Sequence, residues 1–213
     1  ETVLYEKSRV LYGIHRAKAE IKSADLAILV EGQMDVIACH QAGMKNVVAV
    51  SGTALTAEQI KLLKRYSNNI AMAFDADAAG QKAGDRGIDV ALEQGMNIRV
   101  IRIPSGAGKD ADECLKKNPA VWFDAIKNAF GYMDWHFAVK LNKLNQNDFR
   151  AKQAAADFLL QKISRIPNGV ERDEWLKKLS AELSTDMGVL REEMKKTRAK
   201  KMVVPQLMPR ALF

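Results

Sequence analysis

NIAMAFDADAAG, residues 69–80, runs from an apolar strand pattern straight into two aspartates, Asp75 and Asp77, and then into alanine and glycine. A core strand gains nothing from two like charges at its tip, so the pair must be solvated, protonated or matched to a cation. The next stretch, AAGQKAGDRGIDVALEQG (78–95), has helical spacing and ends on Gly95, the residue best suited to a left-handed helix cap. Strand, acidic turn and helix together read as one βα unit.

The same order repeats on either side. LAILV (26–30), NVVAV (46–50) and IRVIRI (98–103) are further apolar runs of strand length. The first leads into MDVIACHQAG (34–43), with Gly43 in the cap position. The second leads into TAEQIKLLKRY (56–66), where Thr56 and Gln59 have the spacing of a capping box. Strands alternating with helices predict an α/β domain with a mostly parallel sheet flanked by helices. Right-handed crossovers then bring the strand C-termini to one edge, where open α/β sheets bind their ligands.

From about Asn118 the pattern is helical only, over 120–144, 148–166, 170–184 and 187–201. IPNG (166–169) and TDMG (185–188) are the breaks, and Phe158, Leu159, Ile163 and Ile166 recur at helical spacing. A small all-helical subdomain is expected here. VVPQLMPRALF (203–213) carries two prolines and no period, the pattern of a linker or docking tail.

Composition narrows the function classes. The chain has 213 residues, 47% of them hydrophobic, enough for one sizeable core. No apolar run reaches the ~18 residues of a membrane span, and the charged start ETVLYEKSRVLYG lacks a signal-peptide core. The absence of an initial Met points to a fragment or a processed chain. Cys39 and Cys114 lie far apart without a CxxC, as expected of reduced thiols in a cytoplasmic protein. His15, His40 and His136 have no metal-ligand spacing, so no zinc site is expected within the chain. Net charge is +7, and nearly all of it falls in residues 131–213, with 16 Lys and Arg against 10 Asp and Glu. Such a surface attracts nucleic-acid phosphates, although charge alone favours the plainer reading, a solvated helical face of mixed charge.

The acidic residues gather where the chemistry is expected. Glu31 follows the first strand, Asp75 and Asp77 follow the third, and Asp110, Asp112 and Glu113 follow the fourth after the loop PSGAGK. Parallel strands put all of them at one sheet edge. Two unit charges ~4 Å apart repel by roughly 4 kcal/mol at an effective dielectric of 20, so the group must either hold protons or bind a hard cation such as Mg²⁺ or Mn²⁺. Alternate residues of an extended segment face the same way, which would aim Asp75 with Asp77, and Asp110 with Asp112, at one point. Helix capping is the competing reading for Asp77, and a helix-dipole role for Asp35. SGAGKD is no P-loop, because Ile103 stands where the first glycine belongs and Asp110 follows the lysine. No serine or cysteine nucleophile with a matching base is legible.

The ordered set Glu-Gly, DxD and a second DxD on an α/β frame resembles the topoisomerase–primase (Toprim) domain. EGQMDVIACHQAG, AVSGTALTAEQIKLLKR, FDADAAGQKA and GKDADE are similar to the catalytic core of bacterial DnaG-type primases, as is YEKSRVLYGIHRAKAEI upstream. The resemblance implies a Rossmann-like Toprim sheet and an enzyme that makes short RNA primers from ribonucleoside triphosphates on single-stranded DNA. It implies Glu31, Asp75, Asp77, Asp110 and Asp112 as ligands of two or more Mg²⁺ or Mn²⁺ ions. Glu31, Asp75 and Asp77 would stand closest to the chemistry, and Asp35 would support the site. Lys7, Arg9 and Lys82 would face nucleic acid or nucleotide. Gln33, Ala76, Gln81 and Ala111 depart from residues common in the family, and none of them is a ligand position.

The implied division is 1–24, the end of an upstream polymerase subdomain with a connecting helix; 25–118, Toprim; 119–200, the helical subdomain; and 201–213, the tail. A zinc-binding domain is expected before Glu1, and a domain contacting the replicative helicase after Phe213. The protein is expected to be monomeric and to have no membrane partner. Two other readings stay open: another Toprim metal-dependent nuclease, and a non-catalytic module that binds nucleic acid or helicase.

Overall fold

Every residue of the first two strands is buried, as parallel strands with helices on both faces require. The computed structural model describes residues 6–50, 52, 54–74, 78–142, 144, 145 and 147–203, with the side chains of all but 78–82 and 197–203. After a 3-10 turn, Lys7–Arg9, the order is α1 (Ile14–Ala24), β1 (Ala27–Val30), α2 (Gln33–Gln41), β2 (Val47–Ala49), α3 (Ala57–Lys64), β3 (Asn69–Ala73), α4 (Ala78–Glu93) and β4 (Asn97–Ile101). Then come α5 (Ala111–Lys117), α6 (Pro119–Lys127), β5 (Phe130–Gly131), α7 (Tyr132–Leu141), α8 (Phe149–Ser164), α9 (Gly169–Leu183) and α10 (Met187–Val203).

The sheet order is β2-β1-β3-β4-β5. The first three pairings are parallel, in registers such as Ile28 opposite Val47 and Ala71 opposite Arg99. β5 is antiparallel to β4, with Gly131 opposite Arg99. The chain steps outward from β1 to β2 and then returns to the other side of β1 for β3. That reversal opens a crevice beyond the ends of β1 and β3, the usual ligand position of such sheets. Tyr12 pairs antiparallel with Ala49 at the end of β2, so the segment before α1 runs along the same edge.

Local signals start and stop the helices. Thr56 and Gln59 form the expected capping box of α3. Asn118 caps α6, with Pro119 in its first position, and Asp148 and Asn168 cap α8 and α9. Gly43, just past α2, has φ +89°, in the left-handed region that glycine tolerates best.

Three expectations are corrected. Residues 120–144 do not form one helix: α6 stops at Asn128, and Phe130–Gly131 pairs with the free edge of β4 before α7 begins. The chain divides into compact units after Trp135, later than the composition shift at Asn118. Trp122 is fully buried in one core with Ile28, Val30, Ala71 and Ile101, which keeps α6 with the sheet. The helix expected to end at Lys201 continues to Val203 as α10, and the rest of the expected tail lies outside the described residues.

The second unit packs α8, α9 and α10 around Leu159, Leu160, Ile163, Ile166, Leu176, Leu179, Leu183 and Leu190, all buried. Phe137 packs against Trp175 at a tilt of 43°, with ring centroids 5.3 Å apart. His136 is buried edge-on to Phe158 at 5.4 Å, and burial, with Lys162 and Lys140 nearby, pushes its pKa down to about 3. In the first unit Cys39 and Cys114 are free thiols at 0% exposure in the core that contains Trp122. Burial, and then the neighbouring Asp35, push Cys39 up to about 12. Among the described residues no helix is long and apolar enough to cross a membrane.

Candidate active site

Two short connections build the site. The first leaves β1 at Val30 and enters α2 through Glu31 and Gly32. Gly32 is extended and has no side chain to cap the helix, so Asp35 reaches back and accepts a hydrogen bond from the Gly32 amide at 3.0 Å. The second leaves β4 at Ile101 and reaches α5 through a glycine-bearing loop. Gly108 has φ +142°, and a Cβ there would lie 2.7 Å from the Cys114 amide nitrogen, so only glycine lets the loop pass so close to the helix. Asp110 then caps α5 by accepting from the Glu113 amide at 2.8 Å.

These connections meet over the end of β3. Val30, Glu31, Asp35, Ala73, Phe74, Ile103, Asp110 and Ala111 line one cleft beyond the strand C-termini. Asp35 is the deepest of the three acids, only 6% exposed. Its second oxygen accepts from the Asp112 amide at 3.0 Å, tying the β1–α2 connection to the first turn of α5. Burial raises the Asp35 pKa, with Asp110 and Asp112 adding to the rise, while the hydrogen bonds from Asp112 and Gly32 oppose it.

The sequence candidates fare differently. Glu31 and Asp110 share the cleft with Asp35. The alternation argument does not hold for Asp110 and Asp112, because Asp110 is extended and Asp112 lies inside α5. Asp112 turns to Lys116, 2.6 Å away one helical turn on, which raises the Lys116 pKa. Asp110 has a distant cation, Lys109 Nζ at 3.9 Å, and Glu113 takes the same lysine at 3.5 Å. Asp75 and Asp77 lie outside the described residues. Lys82 falls in α4, and its side chain lies outside them as well.

Lys7 and Arg9 stand in the exposed 3-10 turn, where Arg9 meets Glu6 at 3.0 Å. That turn packs on the N-terminus of α3, on the edge that carries the cleft. Sequence reasoning missed Phe74 and Ile103 as lining residues, since both read only as strand ends.

Among the described residues no three Asp, Glu, His or Cys side chains stand close enough together to hold a metal ion. The side-chain donors among the described residues that line the cleft are carboxylates, which suit Mg²⁺ or Mn²⁺ rather than a softer metal. Asp35 is the poorest ligand of the three for such an ion, because both of its oxygens already accept backbone amides.

Comparison with known proteins gives two family matches. Residues 28–115 match a family described as Toprim-like, and residues 133–187 match one described as the DnaB-helicase binding domain of primase. The second match falls inside the chain, in the stretch read from the sequence as helical only. The chain is 38% identical over 191 residues to a DNA primase of Synechococcus elongatus, covering 86% of this chain and 27% of that protein. A crystal structure of a DNA primase domain from Pseudomonas aeruginosa superposes with a TM-score of 0.78 at 28% identity, over 92% of this chain and 62% of that one. A structure of the DnaG primase catalytic domain bound to ssDNA gives a TM-score of 0.74 at 28% identity, over 88% of this chain and 60% of that one. The chain thus spans under a third of the first of these proteins and about three fifths of the solved chains.

Proposed function

Because this chain belongs to the bacterial DnaG-type primase family, with a Toprim domain in its first unit, we propose that it is part of the machinery that joins ribonucleotides into short primers on single-stranded DNA. The observation that carries the proposal is the meeting of Glu31, Asp35 and Asp110, from separate βα connections, in one cleft at the switch point of the sheet.

Glu31 and Asp110 would hold divalent cations together with Asp75, Asp77 and Asp112. Asp112 must then exchange its Lys116 partner for the ion, and both contacts are charge-assisted. Mg²⁺ or Mn²⁺, when bound, neutralises phosphate charge and lowers the pKa of the attacking hydroxyl. Asp35 keeps the two acid-bearing connections in register. Lys7, Arg9 and Lys82 supply phosphate contacts of the weak, salt-sensitive kind. The match on residues 133–187 supports a replicative helicase as the protein partner.

Three assays separate the readings. Primer synthesis from ribonucleoside triphosphates on single-stranded DNA, dependent on Mg²⁺ or Mn²⁺ and lost in Glu31→Gln, supports the proposal. Metal-dependent strand cleavage without synthesis points to the nuclease. DNA binding indifferent to metal and to Glu31→Gln points to a binding module.

A further inference from the structure

The capping box of α3 does more than start a helix. Capping needs only the Thr56 hydroxyl oxygen, which accepts the Gln59 amide at 3.2 Å, and Gln59 Oε1, which accepts the Thr56 amide at 3.1 Å. Glutamate at position 59 would serve this purpose equally well. What glutamine adds is an NH₂ group. Gln59 Nε2 donates to the Lys7 carbonyl at 3.0 Å and to the Val10 carbonyl at 2.9 Å, while the Thr56 hydroxyl donates to the Ser8 carbonyl at 2.5 Å. Three carbonyls of one short segment are thus gripped by two side chains, and Gln59 is 0% exposed. The backbone of the turn faces α3, and its Lys7 and Arg9 side chains stand in solvent. The Tyr12–Ala49 bridge fixes the far end of the segment at the strand edge that carries the cleft.

We propose that Gln59 is a positioning residue, whose side-chain amide holds the turn Lys7–Arg9 against the sheet edge so that its two cations meet phosphate groups of the bound nucleic acid or nucleotide. This rests on the reading above, in which Lys7 and Arg9 contact phosphates. A lysine and an arginine on a loose segment must give up backbone as well as side-chain freedom on binding. The clamp removes the backbone part of that cost in advance. It also explains glutamine over glutamate, whose carboxylate would face the Lys7 and Val10 carbonyls without a proton to donate.

The test is fluorescence anisotropy of the whole chain with labelled single-stranded DNA, and separately with a labelled ribonucleoside triphosphate, over a salt series. Lys7→Ala/Arg9→Ala measures what the turn contributes. Gln59→Glu keeps the capping acceptor and removes the donor, and Gln59→Met removes the amide without adding charge, should the first variant fold poorly. The expected result for each Gln59 variant is about tenfold weaker binding of at least one ligand. For DNA the log–log salt slope should be shallower by about 1.4, the value for two phosphates on a single strand, with helical content and amide exchange protection of α3 unchanged in Gln59→Glu, which keeps the capping acceptor. The ligand that suffers identifies the phosphate source. If the double variant weakens binding and the Gln59 variants do not, the positioning role is overturned and the reading of Lys7 and Arg9 stands. If the double variant binds like the parent, that reading fails and takes the clamp with it.

Discussion

Asp35 shows how one side chain can set a site without occupying it. Its oxygens accept the Gly32 and Asp112 amides, one from each acid-bearing connection. Removing them in Asp35→Ala leaves two donors without acceptors, and Asp35→Asn turns an NH₂ toward one of them. Either change is expected to cost about 1–3 kcal/mol in urea unfolding at pH 7, apart from any effect on activity. The sequence marked Asp35 as a helix-dipole or supporting residue, and that much was legible from its place in the first turn. The bond to Asp112 was not, because it joins positions 77 apart in the chain. His136 gives the residue scale a pH signature. Its pKa falls from an ordinary 6.5 to about 3 in the fold. The unfolded chain therefore takes up a proton below about pH 6.5 that the native chain refuses, and stability falls as pH drops from there toward about 3. The slope reaches at most ~1.4 kcal/mol per pH unit for one proton. Urea melts between pH 7.5 and 4.5 should show the loss, and His136→Leu should flatten it.

Among the elements, α4 approaches β3 more closely than a side chain at position 84 would permit. A Cβ on Gly84 would lie 2.5 Å from the ring of Phe74, which lines the cleft. Gly84→Ala should therefore move the ring and destabilise the chain by about 1–3 kcal/mol, despite alanine's better helix propensity. A denaturant midpoint that rises instead would show that the ring yields freely. The large elements were legible because their signals are periodic and local: LAILV became β1 within one residue, and the Thr56–Gln59 box starts α3 as read. What escaped was non-local. β5 is two residues long and exists only because β4 offers an unpaired edge, and no period can announce a strand so short. The DxD at 110–112 was read as extended, yet Asp110 caps a helix and Asp112 is already inside it. The same three letters are compatible with both outcomes, and the Glu113 amide decided between them.

For the whole molecule, the uneven charge and the division into two parts were visible in the sequence, since the excess of cations falls late in the chain. The point of division was not, because it depends on Trp122 filling the sheet core, a matter of packing rather than pattern. The two sulfur atoms beneath the cleft turn this packing into a clock. Cys39 and Cys114 are sealed in the native core, and an alkylating reagent reacts with thiolate, which burial suppresses most strongly at Cys39. Modification should thus wait for the core to open, and its rate counts those openings. An ion that favours the closed form by binding to it should slow the reaction in proportion to its occupancy. Mass spectrometry of iodoacetamide-treated protein, with and without Mn²⁺, would read cation affinity from sulfur chemistry alone.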